Sequence, residues 1–253
     1  MFNVNVGLLL LLLALTPLAI SQEVTVAAGV FIGVIEKDGK GPYQLILNEA
    51  ARRSGVKLSE KVYPLKRAIN TFVEKKVLAI YGMTDAVISD IGKDNIITSY
   101  PLSVYKVYVF TKKGEPVISN YAQLNGKRVG GVDGYQAYYQ GLIKNNIEIS
   151  YFPTEDKQLQ RYNVGRFDAI VGFMPDWIPY LDSLDYDPDF ALLVGYDYMT
   201  VWNTSEGKLF VNDISKALLN MKLDGTLKKI LGERYIDFEY KATQGFEWGF
   251  SKK

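Results

Sequence analysis

Residues 124–134 read Leu124-Asn125-Gly126-Lys127-Arg128-Val129-Gly130-Gly131-Val132-Asp133-Gly134. This stretch is typical of a turn that leads into a short apolar strand, followed by the start of a helix that we predict to end at Lys144. The same order of strand, turn and helix recurs on both sides of it. Alternation of this kind predicts an α/β fold with largely parallel sheets.

The other predicted elements continue this order along the chain. A strand at 24–35 leads through the turn Asp38-Gly39-Lys40-Gly41 into a helix that opens with Pro42 and ends at Gly55. Further strands are predicted at 57–63, 77–81, 103–111, 147–152, 168–173 and 190–202. Further helices are predicted at 64–75, at 155–164, from residue 176, at 209–223 and at 226–233, with a loop at 182–189.

The elements divide into two β/α units joined by extended segments near residues 110 and 200. We predict that lobe 1 comprises residues 22–111 and 203–253, and that lobe 2 comprises residues 112–202. Two chain crossings between lobes make a natural hinge. Open α/β sheets bind ligands at the carboxyl ends of their strands, so the cleft between the lobes is the predicted ligand site.

The N-terminus predicts export. Residues 7–20 form an apolar stretch too short to cross a hydrocarbon core of roughly 30 Å comfortably, and Ala19 and Ser21 are the small residues that signal peptidase requires. We predict a signal peptide at residues 1–21 and a periplasmic protein; a buried apolar helix is the alternative. The sequence has no cysteine, which rules out a lipidated N-terminal Cys, and we expect no stable membrane insertion.

The composition of the 253 residues limits the chemistry. The chain has 29 Lys and Arg against 28 Asp and Glu, a net charge of +1 that gives no basic footprint for nucleic acid. It has no histidine and no cysteine, which excludes Ser-His-Asp and Cys-His catalysis and His/Cys zinc sites. We predict no cofactor and no metal.

Five segments together resemble one family. They are Tyr63-Pro64-Leu65-Lys66-Arg67-Ala68, Ser99-Tyr100-Pro101-Leu102, residues 124–130, Gly165-Arg166-Phe167-Asp168-Ala169-Ile170-Val171 and Lys222-Leu223-Asp224-Gly225-Thr226-Leu227-Lys228-Lys229-Ile230. In this order they resemble the bacterial extracellular solute-binding proteins of family 3, the polar amino-acid-type components of ABC importers. The resemblance implies a two-lobe periplasmic-binding-protein type II fold with a two-strand hinge, and no catalytic residues.

The chain departs from this family at the two charged positions that hold an α-amino acid. Members usually bind the ligand carboxylate with an arginine shortly before the Ser-x-Pro-like segment, yet no arginine lies between Arg67 and Arg128. The acidic residue that usually binds the ligand ammonium falls at Phe173. We therefore expect a small polar solute, amino-acid-like or otherwise charged, and the substrate does not follow from the resemblance.

The candidate ligand-binding residues flank predicted strand ends. Arg67 is the candidate anion contact, with a surface pair to Glu60 or Glu74 as its alternative. Asp85 and Asp176 are candidate cation ligands, and the alternative role for each is a helix N-cap. The turn at Gly134 offers backbone N–H groups or is a plain tight turn. The aromatic candidates, for each of which core packing is the alternative, are Tyr43, Tyr81, Tyr100, Tyr135, Phe173 and Trp177.

The sequence favours a binding protein over an enzyme. We expect a monomeric periplasmic receptor that captures a small polar ligand by hinge closure and binds ABC permease subunits transiently. A sensory receptor of the same fold is one alternative. A cyclohexadienyl-dehydratase-like enzyme is another, disfavoured because no pair of carboxylates stands at catalytic spacing.

Overall fold

Two mixed β-sheets with helices packed against them form the protein in a computed structural model that describes residues 23–31 and 33–240. The predicted signal peptide at residues 1–21 lies outside the described residues. The strands are β1 (Val24–Gly29), β2 (Leu58–Tyr63), β3 (Ala79–Tyr81), β4 (Ile96–Thr98), β5 (Ser103–Lys112), β6 (Val129–Val132), β7 (Ile149–Phe152), β8 (Ala169–Met174), β9 (Leu184–Tyr186), β10 (Leu193–Asp197) and β11 (Met199–Trp202).

The helices lie between these strands in the order expected of β/α units. They are α1 (Pro42–Ser54), α2 (Leu65–Val73), α3 (Thr84–Ile91), α4 (Gln140–Lys144), α5 (Glu155–Asn163), α6 (Ser205–Leu223) and α7 (Thr226–Leu231). Single 3₁₀ turns occupy Lys93–Asn95, Tyr121–Leu124, Gln136–Tyr139, Ile178–Tyr180 and Gly232–Arg234.

Each sheet has a parallel centre and antiparallel additions. The first sheet has the order β2-β1-β3-β11-β4, and the second has the order β10-β5-β8-β6-β7 with β9 paired to β5. Strands β2, β1 and β3 are parallel, as are β7, β6 and β8, whereas β11 and β5 run antiparallel to their neighbours. The two-lobe α/β prediction is confirmed. The sheets are less parallel than predicted because both antiparallel strands directly follow a crossing between the sheets.

Several predicted elements differ from the structure. Helix α3 was not predicted, and the helix expected from residue 133 is a 3₁₀ turn followed by the five-residue α4. The helix expected from Asp176 is only the turn Ile178–Tyr180, and the loop expected at 182–189 contains β9. The single strand expected at 190–202 is two strands, because the chain changes sheets at Tyr198.

The two crossings between the sheets run side by side. The first joins β4 to β5 through residues 99–102, and the second joins β10 to β11 at Tyr198. Backbone hydrogen bonds tie them together, from Ser99 N to Met199 O at 2.8 Å and from Leu102 N to Asp197 O at 2.8 Å. The predicted boundaries at residues 111 and 202 remain a prediction. The change of sheet supports the sharper proposal that the lobes meet at residues 99–102 and at Tyr198.

The second sheet packs closely against Trp177, a fully buried side chain. An added Cβ at Gly172 in β8 would stand 2.4 Å from Trp177 Cδ2 and 2.5 Å from both Cε2 and Cε3. The ring is 1% exposed and lies 4.9 Å from Phe110, so it has no free space into which it can move.

We therefore expect Gly172→Ala to lower the free energy of unfolding by about 1–3 kcal/mol through overpacking. Urea denaturation of the wild type and the variant measures this loss. Adding Trp177→Phe to Gly172→Ala supplies space for the new methyl group. The free energy of unfolding of the double variant should therefore fall by less than the sum of the losses in the two single variants. Equal midpoints for Gly172→Ala and the wild type would show that the ring is not tightly held.

Candidate functional site

The candidate site lies where the strand ends of the two sheets face each other. The chain segments that follow β1 and β3 come from the first sheet, and those that follow β6 and β8 come from the second. In open α/β folds the carboxyl ends of parallel strands are the places where loops from several strands converge. The structure therefore brings together residues that are far apart in sequence, from Phe31 to Asp197.

A cavity of about 10 Å³ lies between the two sheets, enough for about one water molecule. Both sheets contribute to its wall. The lining residues are Phe31, Val34, Tyr43, Gly82, Tyr105, Tyr138, Phe173, Asp176 and Asp197. The predicted cleft is therefore present in a closed arrangement that side chains fill almost completely.

Two tyrosine–aspartate hydrogen bonds cross between the lobes at this cavity. The Tyr43 hydroxyl in α1 donates to Asp197 Oδ2 at the end of β10 over 2.5 Å. In the opposite sense, the Tyr105 hydroxyl in β5 donates to Asp85 in α3. At the rim, Lys66 Nζ lies 3.8 Å from Asp133 Oδ2. Closure is therefore held by polar contacts at more than one point.

Aromatic rings form the rest of the contact between the lobes. Phe31, which follows β1, stacks on Tyr135 with 5.2 Å between ring centroids and 19° between ring planes. Phe173 stands edge-on to Tyr135 at 5.1 Å and to Tyr138 at 5.2 Å. Tyr105 lies 5.8 Å from Phe173. The cavity is thus bounded by aromatic rings on several sides.

The two carboxyl groups in the cavity wall are unusually buried. Asp176 is 5% exposed, and its Oδ1 atom has no hydrogen-bond partner among the described residues. Burial raises the pKa of Asp176 well above its usual value, and the charges of Asp197 and Glu155 raise it further, against the lowering effect of Arg234. Burial also raises the pKa of Asp197 to about 7, with Tyr43 opposing the rise and Asp85 adding to it.

The structure brings half of the predicted site residues to this region. Tyr43, Phe173 and Asp176 line the cavity. Tyr135 contacts three of the lining rings, and Asp85 accepts the hydrogen bond from Tyr105. The binding role of all five remains a prediction.

The other predicted residues lie elsewhere. Arg67 is exposed, with its guanidinium carbon 5.3 Å from the centre of the Tyr63 ring. The buried Tyr81 hydroxyl donates to Glu60. Tyr100 packs against Phe238 and Tyr240 beside the lobe crossings, and Trp177 packs inside the second lobe. For the three aromatic residues the alternative of core packing describes their positions.

Gly134 lies at the rim of the interface with φ +96°, where an added Cβ would approach Leu65 Cδ2 to 3.2 Å. The N–H groups of its turn are already used. Asp133 N donates to Phe152 O, Gly134 N to Gln136 Oε1 and Tyr135 N to Val132 O. The turn therefore offers an anion fewer free N–H donors than the glycine-rich sequence predicts.

Several residues that line the cavity are not among those predicted from the sequence. They are Phe31, Val34, Gly82, Tyr105, Tyr138 and Asp197. Asp197 lies inside the single strand predicted at 190–202, although aspartate is depleted in strands and is itself a sign of a break.

A groove of about 190 Å³ continues the interface at its rim, lined by Lys66 and Ala86 from the first lobe and by Asp133 and Gly134 from the second. Two other grooves lie away from the strand ends that face each other. A groove of about 700 Å³ is lined by residues that include Val129 and Ser150, near the starts of β6 and β7. Another, of about 610 Å³, is lined by Val24 and Trp202 among others, at the start of β1 and the end of β11. Neither groove is lined by both lobes at the carboxyl ends of their parallel strands, so neither is the candidate site.

The described part of the chain contains no group of three or more acidic side chains placed to hold a metal ion. Nor does any helix within residues 23–240, as far as they are described, have the length and apolar character needed to span a membrane.

Comparison with solved structures decides the fold. The ligand-binding core of GluR0 from Nostoc punctiforme, in complex with L-glutamate, matches with a TM-score of 0.70 at 17% identity, covering 84% of this chain and 99% of that one. The arginine-, lysine-, histidine-binding protein ArtJ from Geobacillus stearothermophilus matches with a TM-score of 0.69 at 18% identity, covering 85% and 95%. The protein has the two-lobed fold of the periplasmic binding proteins.

The periplasmic-binding-protein fold is shared with sensory proteins. A histidine kinase sensor domain with similarity to periplasmic binding proteins matches with a TM-score of 0.68 at 15% identity, covering 84% of this chain and 96% of that one. No protein-family model matches the chain, and no curated protein sequence matches it. The resemblance to the solute-binding proteins is confirmed as a likeness of fold, and identities this low carry no ligand from one protein to another.

Proposed function

We propose that the protein is a periplasmic solute-binding protein that captures a small polar solute between its lobes. The observation that supports this most directly is the cavity at the facing strand ends, lined from both lobes and containing the buried carboxyl groups of Asp176 and Asp197. A wall built from both lobes lets one solute contact both halves of the molecule. Such a solute stabilises the closed arrangement over the open one.

The hinge follows from the two crossings at residues 99–102 and at Tyr198. A crossing strand absorbs a rotation by small changes in φ and ψ over a few residues while the lobes move as bodies. Opening must separate Tyr43 from Asp197 and Tyr105 from Asp85, because both hydrogen bonds span the lobes. The solute then competes with the tyrosine hydroxyls for the same carboxylates.

In this proposal the exported protein acts as a monomer and delivers its solute to the membrane subunits of an ABC importer. The solved proteins of the same fold include an amino acid ABC transporter substrate-binding protein and an arginine transport system periplasmic binding protein, which supports a binding role over catalysis. The histidine kinase sensor domain supports the second candidate, a sensory receptor that uses the same closure. Binding of the purified protein to vesicles carrying either the permease or the kinase separates the two.

We expect a thermal-shift screen of amino acids, amines, carboxylates and osmolytes to find one class that raises the melting temperature. A solute present at 100 times its dissociation constant adds about 2.7 kcal/mol to the free energy of unfolding. For a chain of this size that corresponds to a rise of roughly 5–10 °C. If no class of small solute raises the melting temperature, the proposed function fails.

A further inference from the structure

The cavity wall holds acids and rings but no basic side chain. Among its nine lining residues are Asp176 and Asp197, and none of the nine is Lys or Arg. The Oδ1 atom of Asp176 is buried with no hydrogen-bond partner among the described residues, although Asp176 itself is 5% exposed. A buried carboxyl oxygen without a donor is rare in folded proteins because it loses its hydration without replacement.

A hydrogen-bond donor with positive charge is the partner that would satisfy this oxygen most strongly. Asp197 already accepts one hydrogen bond, from Tyr43, whereas Asp176 Oδ1 accepts none from residues 23–31 and 33–240. Charge-assisted N–H to carboxylate hydrogen bonds are about twice as strong as neutral ones. A cation that carries N–H groups therefore satisfies Asp176 and replaces the tyrosine hydroxyl at Asp197.

The rings around these carboxyl groups suit the rest of such a cation. Phe31, Tyr138 and Phe173 line the cavity together with the two aspartates. Aromatic faces attract an ammonium group through the ring quadrupole and also pack against an alkyl chain. The wall thus combines the two kinds of contact that an amine with a carbon chain makes.

We infer that the lobes close over a small primary alkylammonium ion at this cavity, with its N–H groups donated to Asp176 and Asp197 and its carbon chain against the aromatic rings. The cavity of about 10 Å³ must widen to admit the ion, which requires the Tyr43–Asp197 and Tyr105–Asp85 contacts to part. The inference rests on the proposed function and names the class of solute. It further holds that the ligand needs no carboxylate group, because the lining supplies no base to bind one and adds two acids that repel one.

Arg234 is the basic residue whose charge acts on Asp176, and it lies outside the lining. Its guanidinium packs on the loop after β1, where an added Cβ at Gly33 would come within 2.7 Å of Nη2. Its Nε atom is buried and has no hydrogen-bond partner in the part of the chain that the structure describes. Among the described residues no ion pair joins Arg234 to Asp176, so the arginine does not replace the proposed cation.

The test uses two ligands that differ only in the α-carboxylate. Removing that group from L-norleucine gives n-pentylammonium, so isothermal titration calorimetry of the full mature protein with both compounds isolates its effect. We expect n-pentylammonium to bind at least tenfold more tightly than L-norleucine. Tetramethylammonium, which has no N–H group, should bind at least tenfold more weakly than n-pentylammonium.

A comparison of two variants tests whether n-pentylammonium binds at Asp176. Asp176→Asn keeps the shape of the side chain and removes its charge, and it should weaken n-pentylammonium binding at least tenfold. Asp213→Asn, on an exposed part of α6, is the matched control and should change the affinity less than twofold. Circular dichroism confirms that both variants are folded before titration.

Each other outcome has a defined meaning. Tighter binding of L-norleucine overturns the inference and indicates a carboxylate contact such as Arg234. An unchanged affinity in Asp176→Asn also overturns it. If no alkylammonium binds while another solute raises the melting temperature, the inference fails and the proposed function stands. If no solute of any class binds, both fail.

Discussion

Between pH 4 and pH 7, Asp197 alone should lower the free energy of unfolding of the protein without added ligand by about 4 kcal/mol. The pKa of Asp197 is raised from 3.8 to about 7 in the folded state, chiefly by burial. The folded protein therefore binds more protons than the unfolded chain in this interval, and its stability declines as the pH rises. About three pKa units at 1.36 kcal/mol each give the magnitude. Asp176 acts in the same direction because its pKa is also raised by burial.

Urea denaturation at several pH values measures this slope. Among the described residues, the titratable groups that interact with Asp197 include Tyr43, Tyr105, Tyr138, Asp85 and Asp176. The Asp197→Asn variant keeps the acceptor oxygen for Tyr43 while removing the titration. Its stability should fall less steeply over the same interval. Surface acids act oppositely at lower pH, since hydrogen bonds from Arg128 hold the pKa of Asp168 at about 2. A stability that is flat or rises from pH 4 to pH 7 contradicts the burial of Asp197.

Asp176→Asn should raise the free energy of unfolding at pH 7 by about 1–3 kcal/mol. Burial raises the pKa of Asp176 well above its usual value, so at pH 7 the folded protein must either take up a proton there or hold a buried charge, and both cost stability relative to the unfolded chain. The amide has the same shape and does not ionise. A gain in stability together with the loss of amine binding is the pattern expected when a residue is kept for function at the expense of stability.

Thermal denaturation of Asp176→Asn beside the wild type measures the gain, and Asp213→Asn again serves as the control, with an expected change within ±0.5 kcal/mol. A clear loss of stability in Asp176→Asn would mean that the carboxylate has a stabilising partner. In that case the argument for a missing cation would no longer hold.

Local sequence features predicted the elements that depend on local interactions. The helix from Pro42 begins at the predicted residue, and Gly55 caps its end with φ 72°, a conformation that glycine adopts without strain. The strand at 103–111 appears as β5 with one further residue. Such elements are encoded by hydrophobic pattern and capping within a few neighbouring residues.

The candidate site could be predicted only in part, because its contacts join distant segments. Asp197 lies 154 residues from Tyr43, and Asp85 lies 20 residues from Tyr105 on a helix that local pattern did not reveal. The sequence near Asp197 does not predict which tyrosine donates a hydrogen bond to it. The absence of an arginine between Arg67 and Arg128 was visible, and it agrees with a cavity lining that has no basic residue.

The central claim is that the lobes open and then close over a solute, and a distance between the lobes tests it most directly. The chain has no cysteine, so cysteines introduced at exposed positions are unique sites for spin labels. Ser89→Cys on α3 and Gln140→Cys on α4 place one label on each lobe.

Pulsed electron paramagnetic resonance then gives the distribution of distances between the two labels. We predict a broad distribution with a longer-distance population in the protein alone, which n-pentylammonium shifts to one short distance. The same addition should leave the distribution of the Asp176→Asn variant unchanged. One narrow distance that no small solute alters would contradict the account, because it would describe a molecule that never opens.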